Sequence, residues 1–414
     1  MDHPPQKEYE TETVEYPWIH NSPNSRQQKR SLKSSPTATT DKLSRLIAEQ
    51  DPQTPFLAVD LDVIAANYKS LRTNLPKAEV FYAVKANPEP EVVRLLVGLG
   101  SSFDVASRAE IEGALEAGAQ PRQISFGNTI KKERDIAFAY ERGVRLFAFD
   151  SEEELQKIAR SAPGAKVFCR ILTSNEGAEW PLSRKFGCEI NMAHDLLVKA
   201  QELGLEPHGV SFHVGSQQTR LDQWDMPLQE ASELFASLKE AGVTLSMVNI
   251  GGGLPAHYQN DIEPVEAYAV AIENAMTKSF GDAQPQMIIE PGRSLVGDSG
   301  TIETEVVLIS KKSYTDEVRW VYLDIGKFGG LAETHDEAIK YRLEVIGREG
   351  PTGPVILAGP SCDSVDILYE KYQYQLPLSM KVGDRIRIHA TGAYTSSYSS
   401  VGFNGFAPLP TYCI

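Results

Sequence analysis

Cysteine is scarce in this sequence: Cys169, Cys188, Cys362 and Cys413 are the four in 414 residues. They are widely scattered, with no CxxC pair and no His/Cys spacing suited to a metal. That excludes a disulfide framework and fits a reducing compartment, so a cytoplasmic location is expected. Long apolar runs are also missing. No stretch approaches the roughly 18 apolar residues of a membrane-spanning helix, so no membrane partner is expected. Positive charge is in deficit, with 41 Lys and Arg against 56 Asp and Glu and a net charge of −15. Such a surface argues against nucleic acid or an anionic membrane as partner and tolerates small cationic substrates. There is no internal repeat of short period.

What is present is enough for two cores, with 41% hydrophobic residues. Residues 1–40 are rich in Ser, Thr, Pro, Gln and charge and are expected to form a disordered tail. Asp2, Glu8, Glu10, Glu12 and Glu15 come early and no apolar core follows, unlike a transit peptide. Order is expected from Asp41. Leu43, Leu46 and Ile47 have helical spacing there, and TPFLAVDL reads as a strand, so residues 41–60 form a helix and strand that join the last domain.

From 61 to 295 short apolar strands alternate with helical stretches, the mark of an α/β fold with a parallel sheet. The strands are VFYAVKAN, SSFDVAS, QISFGN, VRLFAFD, KVFCRI, GVSFHVG, MVNIGGG and MIIEPGR. Eight such units in this length predict a (β/α)8 barrel. Each strand ends on a polar or glycine position: Lys85, Asp104, Asn128, Asp150, Arg170, His213, Gly251–Gly253 and Glu290. In a barrel these ends converge on one mouth, where active sites lie. Over 296–414 the pattern changes to short β runs with turn signals, predicting a mostly antiparallel β-domain.

Lys85 closes an apolar strand at that mouth. Partial desolvation there lowers a lysine's pKa and favours an imine with an aldehyde; the alternative is a strand-end lysine reaching solvent. Gly251, Gly252 and Gly253 let backbone N–H groups approach a phosphate, or form a flexible turn. Ser216 adds a hydroxyl to the same anion. Glu290 and Arg293 form a salt bridge, or Glu290 holds a pyridine nitrogen protonated and makes the ring an electron sink. His213 packs flat on such a ring or is a satisfied core histidine. Ser107-x-x-Glu110 fits a helix capping box, so Glu110 is either structural or part of the site. Asp104 orients Lys85 or His213, or caps the same helix. A lysine, a phosphate cradle and a ring-nitrogen carboxylate together describe a pyridoxal-phosphate site. In the β-domain, GPSCDSVD supplies Cys362 and Asp363, and GAYTSSYSSVGFNGF supplies Tyr394 and Phe403. A small buried structural cysteine is the plainer reading of Cys362 by itself.

The ordered set FYAVKAN, FDVAS, FHVGSQ, NIGGGLP, EPGRSLV, GPSCDS, GAYT and FNGF resembles the ornithine/lysine decarboxylase branch of the alanine-racemase-like pyridoxal-phosphate enzymes. The likeness runs from about residue 54 to the C-terminus. It implies a barrel plus β-domain, assembled as a head-to-tail homodimer with two shared active sites. It implies that Lys85 is the Schiff-base lysine and Glu290 the partner of the ring nitrogen. Ser216, Gly253, Gly292, Arg293 and Tyr394 match phosphate-binding positions, and His213 the ring-stacking histidine. Asp104, Glu110, Arg170, Gly251 and Gly252 are assigned to the same cofactor-binding group. Cys362 matches the cysteine that protonates the substrate's α-carbon from the neighbouring subunit. Asp363 matches the acid that receives the distal ammonium, with Asp324 and Phe403 on the substrate side. Lys185 and Asp366 match an ion pair across the interface.

One position departs from the pattern. Animal-type members carry a second substrate aspartate just before the glycine of VYLDIG, where Ile325 stands here and Asp324 comes one residue earlier. Successive strand residues face opposite sides, so Asp324 does not simply substitute. WPLSRKFGC and IGKFGGLAET resemble the bacterial branch instead. The implied reaction is decarboxylation of ornithine to putrescine in polyamine synthesis, with lysine to cadaverine as a side activity. A diaminopimelate decarboxylase normally has CES at Cys362–Ser364 and lacks FNGF. A racemase would want tyrosine at Cys362. An inactive regulatory relative is disfavoured by Lys85, Glu290 and Cys362.

Overall fold

The structure is a computed structural model that describes residues 36–174, 176–180 and 185–414, with 36–40 described by backbone alone. Residues 1–35 of the expected tail lie outside the described residues. The first helix, Pro36–Gln50, starts ahead of the expected Asp41. A proline lacks the N–H that a first turn leaves unpaired, which suits Pro36 to its place. Leu43 and Leu46 bury against Phe56 and Ala58 of β1 (Phe56–Val59), with Ile47, Tyr412 and Ile414 packed around them.

The next strands are β2 (Ala78–Ala83), β3 (Ser102–Val105), β4 (Ile124–Phe126), β5 (Leu146–Phe149), β6 (Lys166–Arg170), β7 (Ala178–Trp180), β8 (Glu206–Ser211), β9 (Ser216–Gln218), β10 (Met247–Asn249) and β11 (Gln286–Ile289). Eight of them close a parallel barrel in the order β10-β11-β2-β3-β4-β5-β6-β8, and these are the eight expected strands. β7 and β9 form a separate antiparallel ribbon, unannounced by the sequence. Helices wrap the barrel with one apolar face. In Asp225–Glu240, for example, Leu228, Ala231, Leu234 and Leu238 are buried at helical spacing.

The barrel interior explains how the site is placed. Phe81, Ala148, Phe168, Met247 and Ile288 pack together inside it. Side chains alternate along a strand, so the residue two places on points the same way, one layer nearer the mouth. Phe168 is thus followed by Arg170, Met247 by Asn249 and Ile288 by Glu290. Gly209 lies where β8 approaches β10 so closely that a Cβ would sit 2.1 Å from the Met247 carbonyl oxygen.

The β-domain contains β12 (Gly300–Ser310), β13 (Arg319–Leu323), β14 (Arg342–Val345), β15 (Thr352–Ala358), β16 (Ile367–Pro377), β17 (Arg385–His389) and β18 (Thr411–Cys413). They run in the order β14-β17-β12-β13-β15-β16, with β1 also on β12 and β18 on β1. The β13–β15 and β1–β18 pairs are parallel and the others antiparallel. β14, β16 and β18 were not evident from sequence. In β16 the run from Glu370 to Gln373 is exposed on both faces, which erases the alternation that marks a strand. Among the described residues no helix is long and apolar enough to cross a membrane.

Candidate active site

After β2 a single tight turn, Val84–Ala86, brings Lys85 to the barrel mouth. Its ammonium lies 3.3 Å from Asp104 Oδ2. Asp104 is buried, and its Oδ1 has no hydrogen-bond partner among the described residues. A Cβ at Gly127 would fall 1.9 Å from that oxygen, so only glycine leaves room for it. Asp104 therefore faces Lys85 and does not cap the following helix. That task falls to Ser107, whose hydroxyl accepts the Glu110 N–H at 3.3 Å. Glu110 reaches back to the Ala106 N–H at 2.6 Å, one residue beyond the N-cap N–H that a standard capping box uses.

The charge on Lys85 corrects the sequence-based expectation of a lowered pKa. Burial does pull it down. The Asp104 charge, followed by Tyr394, Glu290 and Glu110, outweighs that effect and holds the ammonium above the ordinary lysine value. Nearly half of the side chain remains accessible, 48%, so its desolvation is partial. Glu290 moves the other way from a free carboxylate: burial, then Asp104, push it up to about 7. The Asn249 amide donates to Glu290 Oε1 and opposes that shift. His213 is held neutral, because burial and then the Arg170 and Lys85 charges drive its pKa well down. Its Nδ1 accepts the Gly215 N–H at 3.0 Å, so the ring proton sits on Nε2. Arg170 ends β6 with its guanidinium 5.3 Å from the Phe186 ring centroid.

The glycines form a cradle by geometry. Cβ atoms on Gly251, Gly252 and Gly253 would lie 2.3, 2.6 and 2.7 Å from carbonyl oxygens of Phe212, Glu290 and Gly215. Gly251 and Gly253 also have φ of +68° and +105°, which side chains rarely adopt. At Gly292 a Cβ would press on Ala86 at 2.9 Å and the Tyr394 hydroxyl at 3.3 Å. Bare backbone is thus required around the mouth. Arg293 does not pair with Glu290. Its guanidinium is bound by Glu333 at 2.8 and 2.6 Å and by the Tyr258 hydroxyl at 2.6 Å, and its Nε donates to Ser216 at 3.1 Å. Tyr394 lies under this guanidinium, 4.9 Å from ring centroid to carbon. Its φ of +54° is a strained value for a bulky residue, and its N–H donates to the Ala86 carbonyl at 2.8 Å.

A second group of expected residues lies in the β-domain. Cys362 is exposed and bonded to Asn404, and Asp363 accepts the Val365 N–H at 3.0 Å. Phe403 packs against Phe328, with ring centroids 4.4 Å apart and the rings tilted by 39°. Both line a cavity of about 260 Å³, along with Asp324, Ile325, Ser361 and Phe406. Asp324 borders the cavity, but its Oδ1 is taken by the Thr304 hydroxyl and the Glu305 N–H of β12. Asp366, expected to pair with Lys185 across an interface, is turned into its own chain. It is 3% exposed and accepts the Lys327 N–H at 2.8 Å, the Ser361 N–H at 3.2 Å and the Ser361 hydroxyl at 2.7 Å. Lys185 stands 4.9 Å from the Phe186 ring centroid. None of the hydrogen bonds of Cys362 or Asp363 among the described residues reaches the Lys85 cluster.

One strap of chain joins the two groups. Tyr394 and Ser397 bond the backbone beside Lys85, Ser397 through its hydroxyl to the Lys85 carbonyl at 3.0 Å. Ser400 then donates its N–H to the Phe328 carbonyl at 2.9 Å, and Asn404 holds Cys362. Asn249, Tyr258, Glu333 and Asn404 were not singled out from sequence. Asn249 adjoins the glycine triplet and Asn404 lies in FNGF, so both had a local signal. Tyr258 and Glu333 had none, because only the fold brings them to Arg293.

The pyridoxal binding domain of the pyridoxal-dependent decarboxylases matches residues 61–297. The chain belongs to that family. The decarboxylase is 37% identical over 374 residues to the lysine/ornithine decarboxylase of Selenomonas ruminantium, covering 90% of this chain and 92% of that protein. Among solved structures, SrLDC in complex with PLP and cadaverine aligns with a TM-score of 0.81 at 35% identity, over 94% of this chain and 95% of that one. The arginine decarboxylase of Paramecium bursaria Chlorella virus aligns with a TM-score of 0.83 at 26% identity, over 91% of this chain and all of that one. The decarboxylase therefore uses pyridoxal phosphate on a basic amino acid. Its residues fit that cofactor: an amine, a buried carboxylate, a neutral flat imidazole and a cradle of bare backbone share one mouth. The buried Asp104 Oδ1, without a hydrogen-bond partner among the described residues, is a further polar atom at that mouth.

Proposed function

We propose that this decarboxylase converts L-ornithine to putrescine, with lysine a slower second substrate, as a cytoplasmic homodimer that serves polyamine synthesis. In this reading Lys85 would hold the cofactor aldehyde and Glu290 would partner the ring nitrogen. Ser216, Gly253, Gly292, Arg293 and Tyr394 would hold the phosphate, and His213 would pack against the ring. The bound cofactor supplies an electron sink for the pair left behind as CO₂ departs. The protein's part is to orient the carboxylate that leaves and to deliver one proton. Cys362 of a second copy gives its thiol proton to the α-carbon. Its place on an exposed loop, with exposed Val365 three residues on and exposed Phe406 two residues past its partner Asn404, supports a shared site, since exposed apolar side chains fit burial by a second copy.

The substrate reading is carried by Asp363. One of its oxygens is held by the Val365 N–H, and the other has no partner among the described residues. A buried terminal ammonium without a carboxylate would cost several kcal/mol. With Ile325 buried and Asp324 tied to β12, one acid meets the ammonium where animal-type members have two. One methylene then changes selectivity by about 10–200-fold. CO₂ release from ornithine, lysine, arginine and diaminopimelate tests this. Ornithine should lead, lysine should be measurable, and the other two poor. Asp363→Ala should raise KM for both diamino acids and depress kcat/KM while the cofactor absorbance stays normal. Near-wild-type kcat/KM in that variant, or diaminopimelate as the best substrate, would defeat the reading.

A further inference from the structure

Asn404 makes two bonds to one residue. Its Oδ1 accepts the Cys362 backbone N–H at 3.1 Å, and its Nδ2 donates to Cys362 Sγ at 3.4 Å. A backbone N–H can only donate, so the amide oxygen must face it. The amide orientation is therefore fixed, and a donor, not an acceptor, faces the sulfur. Asn404 holds this pose at φ of +51°, between Gly402 at +76° and Gly405 at +79°. Asparagine accepts that conformation better than most residues. Phe403, next in the chain, is anchored on Phe328.

We propose that Asn404 is the positioning residue for the proton that Cys362 delivers, an inference that rests on the reading of Cys362 above. In the step, the S–H bond breaks and a C–H bond forms at the substrate α-carbon, using the electron pair freed when CO₂ leaves. The sulfur is left with a negative charge and regains a proton from solvent. A donor on Sγ acts twice. It occupies one lone-pair direction, so the thiol proton points away from Asn404, and it stabilises the charge that remains on sulfur. Asn404 itself does not touch the reacting carbon.

The test is the rate at which iodoacetamide alkylates Cys362, read by peptide mass mapping in cofactor-loaded and cofactor-free protein. Cys169 and Cys188 are buried and serve as internal controls. Asn404→Asp keeps the acceptor and the turn but sets a carboxylate against the sulfur, and should slow alkylation about tenfold. Asn404→Gly removes the clamp without backbone strain and should slow it about threefold. Both variants should lose kcat with little change in KM. Alkylation of Asn404→Asp at the wild-type rate or faster overturns the proposal, as does a rise in KM at unchanged kcat. If the wild-type chain decarboxylates no basic amino acid, the functional reading fails, and the alkylation rates still decide whether the amide governs the thiol.

Discussion

Arg293 and Glu333 meet through two parallel N–H···O bonds of 2.8 and 2.6 Å, and each residue is 3% exposed. The pair also aims Arg293 at Ser216 and Tyr394. Removing the acid leaves a buried guanidinium uncompensated, which typically costs about 3–5 kcal/mol. Glu333→Gln should lower the melting temperature of the holoenzyme and weaken cofactor binding together. A variant that melts and binds like wild type would show that Arg293 is satisfied without Glu333.

Glu290 gives a pH signature in the cofactor-free protein. Folding moves its carboxyl from 4.5 up to about 7, so the folded chain binds that proton more tightly than the unfolded one. The resulting penalty is present above pH 7 and fades as pH falls toward 4.5. Glu290→Gln should therefore stabilise the cofactor-free protein at pH 8, and most of the gain should be gone by pH 5. Melting curves across that range check this; a gain that grows on acidification has the wrong sign.

Asp104 is the largest contributor to the high pKa of Lys85. Asp104→Asn should release more free amine at pH 8 and speed acetylation of Lys85 in the cofactor-free protein, by about tenfold for each unit of pKa lost. Equal labelling rates in the two proteins would mean that Asp104 does not govern the amine.

If Cys362 serves a second copy, inactive Lys85→Ala and Cys362→Ala chains should complement each other. Random exchange puts half the chains in heterodimers with one intact site of two, so recovery should approach roughly a quarter of wild-type activity. Exchange without recovery would place both residues in one chain's site.

The barrel and its mouth were legible because each strand announced itself twice, by an apolar run and by a polar or glycine residue where the run stops. Lys85, Asp104, Arg170, His213 and Glu290 all follow from that grammar. The charge state of Lys85 did not, since Asp104 and Glu290 approach it from other strands and their balance against burial is set in three dimensions. Glu333 was hidden for the same reason: a glutamate in an irregular turn has no period to betray its partner. The room left for the Asp366 carboxylate at Gly326 and Gly359, where a Cβ would sit 2.2 and 2.3 Å from its oxygens, has no sequence period to announce it.

The strap from Tyr394 to Asn404 has a consequence for inheritance. A recombinant that joins this barrel to the β-domain of a relative exchanges more than a thiol and an acid. It also replaces the residues that grip the backbone beside Lys85, so the foreign segment must suit the host's lysine turn as well as the incoming loop. Crossovers in front of β12 would carry the whole strap intact, whereas crossovers within it would divide one clamp between two ancestries.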